Sequence, residues 1–381
     1  MSTTVFVMAH KAYSEPDDPT YRTVFVGAKG KPDIMPGCLR DDAGEDNISD
    51  LNPYFSELTG IYWVWKNYTG QENIGVCHYR RYFSDDSLEK LTSAQYDEIL
   101  EKYDLITSKN IPTEISYRDS FARAHNAADL DAVGDAIQRV YPEYREAFDE
   151  VMAGHDQYFG NLFVMPRKLF DEYCEWMFTI LTETMPAIDM TGYNAYQQRV
   201  YGFLTENLPL VYIKARGLRN YESQVVYTSE KAETTEVVLA ITELLHQKKT
   251  HEAKEMLTQI LKVRPEVALI TSDLSGNIEF TKQILFIKDH DESEGKDNFF
   301  TREYDLTALM NFYKEAFIAL SHLSRREDVE ESERKYLKDN GFDLFAANVI
   351  LSNDPSERFG RESLDRNTVM QRINEVCVRE V

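Results

Sequence analysis

Cysteine is scarce in this chain of 381 residues: Cys38, Cys77, Cys174 and Cys377 lie far apart and form no Cys-x-x-Cys pair. That spacing excludes a disulfide framework and a zinc ribbon, and leaves reduced, mostly buried thiols. Long hydrophobic runs are missing too. No stretch approaches the roughly 18 uncharged apolar residues that a membrane-spanning helix needs, and Met1-Ser2-Thr3-Thr4 lacks the basic region of a signal peptide, so the expected location is cytoplasmic. Neither Gly-x-x-x-x-Gly-Lys-Ser/Thr nor Gly-x-Gly-x-x-Gly nor His-Glu-x-x-His occurs, and no Gly-x-Ser-x-Gly elbow does, so P-loop, dinucleotide, zincin and serine-hydrolase readings have no support. Positive charge is outnumbered, with 42 Lys and Arg against 65 Asp and Glu and a formal net charge of -23. Bulk charge therefore excludes nonspecific binding to nucleic acid or to an anionic membrane. Any anionic ligand must be met by a local basic site.

One such site stands out. Ile74-Gly75-Val76-Cys77-His78-Tyr79-Arg80-Arg81-Tyr82-Phe83 carries a short apolar strand directly into cationic and aromatic side chains. Arginine offers a planar, permanently charged fork that matches phosphate oxygens, and a neighbouring aromatic ring can stack on a base or a sugar. In an extended chain Arg80 and Arg81 point to opposite sides, so one faces a ligand while the other braces the site. The competing reading is a structural one, with both arginines in salt bridges to Asp85, Asp86 or the acidic loop at residues 41–49.

The organisation around that motif is α/β. Strands are expected at Thr4–Ala9, Thr23–Gly27, Ile74–Cys77, Tyr103–Thr107, Leu162–Met165 and Leu210–Ile213. A helix opening at Asn52-Pro53 buries Tyr54, Leu58, Ile61, Tyr62 and Trp65 on one face, with Asn52 as its N-cap. Further helices are expected within His125–Met152, over Lys168–Glu183 and over Asn194–Asn207. Strands that alternate with helices imply a largely parallel sheet flanked by helices. After about Glu230 strand-like alternation becomes scarce, and a helical hairpin over Thr234–Leu245 and His251–Val263 begins a mainly α-helical region. Two domains follow, 1–230 and 231–381.

Open α/β sheets bind ligands beyond the carboxyl ends of their strands. The residues there are His10 and Lys11, His78 to Phe83, the segment from Gly154 to Asn161, and the Asp189 region. The acidic loop containing Asp41, Asp42, Glu45, Asp46 and Asn47 admits Mg2+ or Mn2+, although a solvated loop is the better explanation of it. Asp129-Leu130-Asp131 and Asp289-His290-Asp291 are literal Asp-x-Asp strings that follow no strand, and neither is taken as a metal site.

Five blocks in order, Ala9-His10-Lys11, Asp46-Asn47-Ile48-Ser49, Glu57 to Asn67, His78-Tyr79-Arg80-Arg81-Tyr82-Phe83 and Gly160 to Met165, resemble a bacterial family first catalogued as a domain of unknown function. A sixth, Asp189 to Glu206, is similar to it as well. Members of that family lie in capsular and exopolysaccharide gene clusters as glycosyltransferases. The resemblance covers roughly residues 4 to 225. It implies a GT-A-like, Rossmann-like fold and a hexosyltransferase that moves galactose or galactofuranose from a nucleoside diphosphate sugar, UDP favoured, to a glycan or lipid-linked oligosaccharide. His78-Tyr79-Arg80-Arg81 takes the place where many GT-A enzymes carry a metal-binding Asp-x-Asp, so no cofactor is required on this reading. Arg80 and Arg81 are then expected to stabilise the leaving diphosphate, and Asp189 or, second, Asp156 to act as general base. His10, Lys11, Asn47, His78, Tyr79 and Asn161 are expected to bind the donor. The region after 230 inherits no function, and contact with a protein or the inner face of the membrane through it is open. A catalytically silent sugar-nucleotide-binding or scaffold subunit is the alternative.

Overall fold

The computed structural model describes residues 2–70, 72–268, 272–324, 330–351 and 371, and Cys377 lies outside them. The chain divides into two compact units, the first ending at Thr228 and the second beginning at Ser229.

The first unit runs β1 (Thr3–Ala9), β2 (Tyr21–Phe25), β3 (Leu39–Arg40), α1 (Asn52–Phe55), α2 (Leu58–Asn67), β4 (Asn73–His78), β5 (Arg81–Ser84), α3 (Ser93–Leu100), β6 (Leu105–Ser108), α4 (Tyr117–Ala122), α5 (Ala127–Val140), α6 (Arg145–Ala153), β7 (Phe163–Pro166), α7 (Arg167–Thr184), α8 (Val200–Leu204), α9 (Leu208–Arg216) and β8 (Asn220–Tyr227). Strands β3, β2, β1 and β4 are parallel, as the sequence led us to expect. The remainder of the sheet is not. Strand β4 turns back through Tyr79 and Arg80 into β5, and the two strands pair only at His78 and Arg81. Neither turn residue has positive φ. The turn types that match strand twist in a two-residue hairpin require positive φ, and without them the strands splay. Strand β5 therefore leaves β4 for β8, β8 pairs with β6, β6 with β7, and β7 returns antiparallel to β4. These pairings close a ring of five strands on the end of a parallel sheet, so the sheet is mixed rather than largely parallel.

Helix α7 packs beside this sheet because its apolar residues recur at helical spacing. Phe170, Tyr173, Cys174, Met177, Ile180 and Leu181 are all buried. Each such side chain contributes about 1.5–3 kcal/mol on burial. Trp65 on α2 stacks on Phe178, and Trp63 donates from Nε1 to the Ala43 carbonyl, so both tryptophans serve packing. The expected strand at Leu210–Ile213 is instead part of α9. A short apolar run fits a buried helix as well as a strand, and here Pro209 in the first turn and Gly217 in the left-handed C-terminal cap decide for helix. Asn52 does not cap its helix from outside. It is the first residue of α1, and its amide donates to the Ser56 carbonyl at the break between α1 and α2, where Ser56 has φ of 51°.

The acidic loop is tied down from within. Asp41 is fully buried and accepts from the backbone N–H groups of Gly27 and Ala28, at 2.7 and 2.9 Å, and from the hydroxyls of Ser49 and Thr59, both at 2.6 Å. It anchors the chain leaving β2 to α2.

In the second unit the described residues form only helices: α10 (Ala232–His246), α11 (Thr250–Val263), α12 (Asn277–Ser293), α13 (Phe299–Arg302), α14 (Leu306–Ser324), α15 (Glu331–Asp339) and α16 (Leu344–Leu351), with one short 3-10 turn at Pro265–Ala268. Helices α10 and α11 pair as a hairpin whose turn places Lys248 at φ of 60°. Asp289 and Asp291 are held by Lys254 and Lys296, so the second Asp-x-Asp string is structural. None of the described helices is long and apolar enough to cross a membrane.

Asp41→Ala leaves two buried N–H groups and two hydroxyls without their acceptor. Urea denaturation should show a loss of about 3 kcal/mol or more, since hydrogen bonds to a charged group contribute about 1.5–3 kcal/mol each and do not add fully. A loss near zero would show that the loop is not anchored this way.

Candidate functional site

The single pairing of His78 with Arg81 fixes the site. Residues directly opposite each other in an antiparallel pair project to the same face of the ladder. Their side chains meet at Gly160, where an added Cβ would lie 2.7 Å from an Arg81 Nη1 and 3.4 Å from the His78 Cε1. Gly160 has φ of +77°, a conformation that glycine adopts without strain. Its N–H donates to Glu206 Oε1 at 3.0 Å. The next residue, Asn161, is fully buried and donates from Nδ2 to Glu57 Oε1 at 2.7 Å. Arg199 reaches the same place and donates from Nε to the Ser56 hydroxyl at 3.0 Å. Half-buried Glu57, His78, Arg81, Arg199 and Glu206 thus surround a buried asparagine at one rim of the strand ring.

Electrostatics separate these groups. Burial, reinforced by the charge of Glu57, pushes the Glu206 carboxyl up to about 7, against the opposing pull of Arg81, the Gly160 N–H and Arg199. Burial also lowers His78 to about 4, and the nearby arginines add to the effect while Glu57 opposes it. His78 is therefore neutral at pH 7, so its Nε2 at 3.9 Å from Glu57 Oε1 is not an ion pair. The guanidinium of Arg81 has no carboxylate within salt-bridge distance among the described residues, and it lies over the Tyr227 ring with Cζ 5.8 Å from the centroid. The expected pairing with Asp85 is not made, because Asp85 accepts from the backbone of Ser87 and Glu89 in its own turn.

The other expected residues divide between this cluster and its surroundings. Arg80 is buried in the turn, its carbonyl accepting from Thr228, with Cζ 5.9 Å from the Tyr79 ring. Tyr79 gathers His10 edge-on and the Lys11 ammonium over its face at 5.5 Å, so His10, Lys11, Tyr79 and Arg80 form a continuous aromatic and cationic strip. Asn47 is spent within its own loop, donating to the Gly44 carbonyl and accepting from the Ser49 N–H. Asp189 is exposed, and hydrogen bonding from the Thr191 side chain, with the Thr191 N–H second, holds its carboxyl below the usual range. Asp156 is exposed too and accepts from Asn110 at 2.5 Å, beyond the end of β6. Neither carboxylate has a recorded contact with the Arg81 cluster. Glu57 accepts from the Asn161 amide. The sequence reading missed Arg199 and Glu206, although both lie in the Asp189 to Glu206 block that carried the resemblance.

The acidic loop does not fit a metal. Asp41 is engaged by four donors, Asp42 pairs with Arg40, Asp46 accepts from the Tyr62 hydroxyl and Asp50 pairs with Lys29. No group of three His, Cys, Asp or Glu side chains is placed to hold an ion among the described residues. In the first Asp-x-Asp string, Asp131 pairs with Arg118 and Asp129 accepts from the Tyr193 hydroxyl. Asp131 also borders a recess of about 540 Å³ among α4, α5 and α6. Its arginines, Arg118 and Arg145, are paired with carboxylates, so this recess offers no unpaired cation, and the chemistry points to the cluster at Gly160.

A family described as a domain of unknown function, DUF4422, matches residues 4–217. The chain belongs to the DUF4422 family. Its matched region contains every residue of the Arg81 cluster. A solved structure described as the apo form of the bifunctional glycosyltransferase WbbM is similar, with a TM-score of 0.56 and 29% sequence identity. The match covers 60% of this chain and 46% of that one, so the DUF4422 chain spans about half the length of its solved relative. No curated protein matches it.

Gly160→Ala should destabilise the chain by about 1–2 kcal/mol from backbone conformation alone, and by more because its Cβ meets Arg81. Gly192, at φ of +83° with open space around it, provides the control. Denaturation of G160A and G192A side by side separates the backbone cost from the crowding at Arg81 Nη1 and Leu162 Cδ1, and equal losses would mean that both side chains swing clear of the new methyl group.

Proposed function

We propose that the first unit transfers a sugar, galactose or galactofuranose, from a nucleoside diphosphate donor to a hydroxyl of a glycan acceptor in capsular or exopolysaccharide synthesis. The observation that carries this reading is Arg81: a guanidinium at a strand end, without a carboxylate partner among the described residues, beside a carboxyl group pushed up to about 7 by burial. Likeness to a glycosyltransferase at 29% identity supports the class of reaction. The parallel strands β3, β2, β1 and β4 suit a GT-A-like nucleotide site, with the nucleotide along the strip of His10, Lys11 and Tyr79, and UDP favoured.

In this reading the donor diphosphate lies against Arg81, with Arg80 and Arg199 adding positive potential. Unit charges about 4 Å apart interact by about 4 kcal/mol at an effective dielectric near 20, enough to matter to a departing diphosphate. The anomeric carbon loses its bond to the diphosphate oxygen, which leaves with the electron pair, and gains a bond to the acceptor oxygen. The acceptor proton passes to Glu206, which a pKa near 7 suits for general-base work at neutral pH. Glu206 thereby takes the role expected of Asp189 or Asp156. Such a single displacement inverts the anomeric centre.

Incubation with UDP-, GDP- and dTDP-sugars, with and without EDTA, should release free nucleoside diphosphate from one donor. Nucleoside monophosphate, or no product, would overturn the proposal. Arg81→Ala should lower kcat by about 100- to 1,000-fold, the usual loss for one group that stabilises developing charge, with little change in thermal stability. The carboxylate form of Glu206 is the active one. Wild-type rate should therefore rise with pH through about 7 and level off above it, whereas Glu206→Gln should be slow and lack that rising limb.

A further inference from the structure

Two buried polar atoms in the Arg81 cluster have no hydrogen-bond partner among the described residues: His78 Nε2 and Asn161 Oδ1. Buried polar atoms are satisfied as a rule, so two orphans on side chains that both approach the same Glu57 oxygen call for an explanation. The orientation of Asn161 is not arbitrary. Its Nδ2 donates to Glu57 Oε1 at 2.7 Å and lies 3.4 Å from the Gly202 carbonyl, and two acceptors on that side fix the amide nitrogen there and the oxygen opposite. His78 Nε2 stands 3.9 Å from the same Glu57 oxygen, too far for a hydrogen bond. The groups gathered here, Glu57, Asn161 Oδ1 and Glu206, are acceptors of hydrogen bonds. They suit a ligand that presents several donors and carries no negative charge.

We infer that Glu57, His78 and Asn161 form a subsite for neighbouring hydroxyl groups of a neutral sugar, set against the cationic side of the same cleft. This rests on the donor reading given above, and it divides the cleft by polarity. Arginines 81 and 199 face the diphosphate, while the carboxylate and amide oxygens face the sugar ring. A hydroxyl bridging Glu57 and His78, with its neighbour donating to Asn161 Oδ1, satisfies both orphans at once. A hexuronate places its own carboxylate against Glu57 and Glu206, where like charges repel. A site that hydrogen-bonds a substrate hydroxyl also discriminates strongly against the analogue that lacks it, because its buried partners are then left unpaired.

Calorimetry with the full chain would compare UDP, UDP-galactose, UDP-glucose, UDP-galacturonate and UDP-glucuronate. The expected result is that at least one hexose nucleotide binds tenfold or more tightly than its uronate counterpart. Glu57→Gln, which keeps the shape and removes the charge, should weaken the hexose form and strengthen the uronate form, bringing the ratio below about threefold. On the wild-type protein, deoxyfluoro analogues of the better hexose should lose tenfold or more at two adjacent positions only, a test that does not depend on the folding of any variant. If UDP binds but hexose and uronate forms bind alike, or if no adjacent pair of positions matters, the subsite is overturned and the donor reading stands. If no UDP compound binds and the GDP and dTDP counterparts do not bind either, the donor reading and the subsite fall together.

Discussion

The site depends on one backbone constraint, the two-residue reversal at Tyr79 and Arg80. A twist-matched hairpin would keep β4 and β5 side by side along their length. This turn has no residue of positive φ and holds them together at a single pair, His78 and Arg81. Released from β5, the rest of β4 takes β7 as its neighbour, and β7 delivers Gly160 and Asn161 from the loop that precedes it. Strand β5 meanwhile crosses to β8, whose Tyr227 comes to lie under the Arg81 guanidinium. Separate features of the cleft therefore follow from one local geometry: the common face of His78 and Arg81, the approach of Gly160, and the aromatic support of the arginine.

The charges so assembled oppose stability. Carboxylates and guanidiniums withdrawn from water are destabilising unless fully paired, and replacing them with apolar residues often leaves a protein as stable or more so. Here the pairing is incomplete by design of the packing: Glu57 accepts from an amide, Glu206 from a backbone N–H, and Arg81 rests on a ring. Contrast the pairs elsewhere in the same unit, where Arg118 meets Asp131 and Arg219 meets Asp104 at 2.6 and 2.8 Å. Local inconsistency of this kind, with ionisable groups gathered but not paired, is where function is expected.

How much of this the sequence disclosed follows from the range over which each feature is encoded. Strands β1, β4 and β7 and helix α7 announce themselves through short-range periodicity, and His78, Arg81 and Asn161 were legible because they directly follow or precede such strands. Strand β8 was not legible: Asn220–Tyr227 alternates weakly, and only its pairing with β5 and β6 makes it a strand. Apart from the β4–β5 turn, the ring closes through partners 56 to 146 residues apart, which no local pattern records. Glu206 illustrates the same gap. It ends a helical stretch that reads as ordinary surface, and its perturbed carboxyl arises from Gly160 and Glu57, which lie 46 and 149 positions away in the chain. Asp41 is the converse case, a carboxylate that looked available for a metal and proves to be spent on four internal donors.

The two perturbed titrations also separate in a way that favours transfer chemistry over simple anion capture. Desolvation shifts an acid up and a base down, so the same environment moves Glu206 toward neutrality and His78 away from it. Between about pH 5 and pH 8 His78 stays neutral while Glu206 changes state, so of these two perturbed groups only Glu206 alters the charge of the cleft across that range. A pocket built only to retain an anion has no use for a carboxyl that becomes negative near neutral pH, because the added charge weakens retention. A site that must accept a proton at one moment and hold a diphosphate at the next, as the proposed transfer requires, does, and the Gly160 N–H seats Glu206 beside the Arg81 contact.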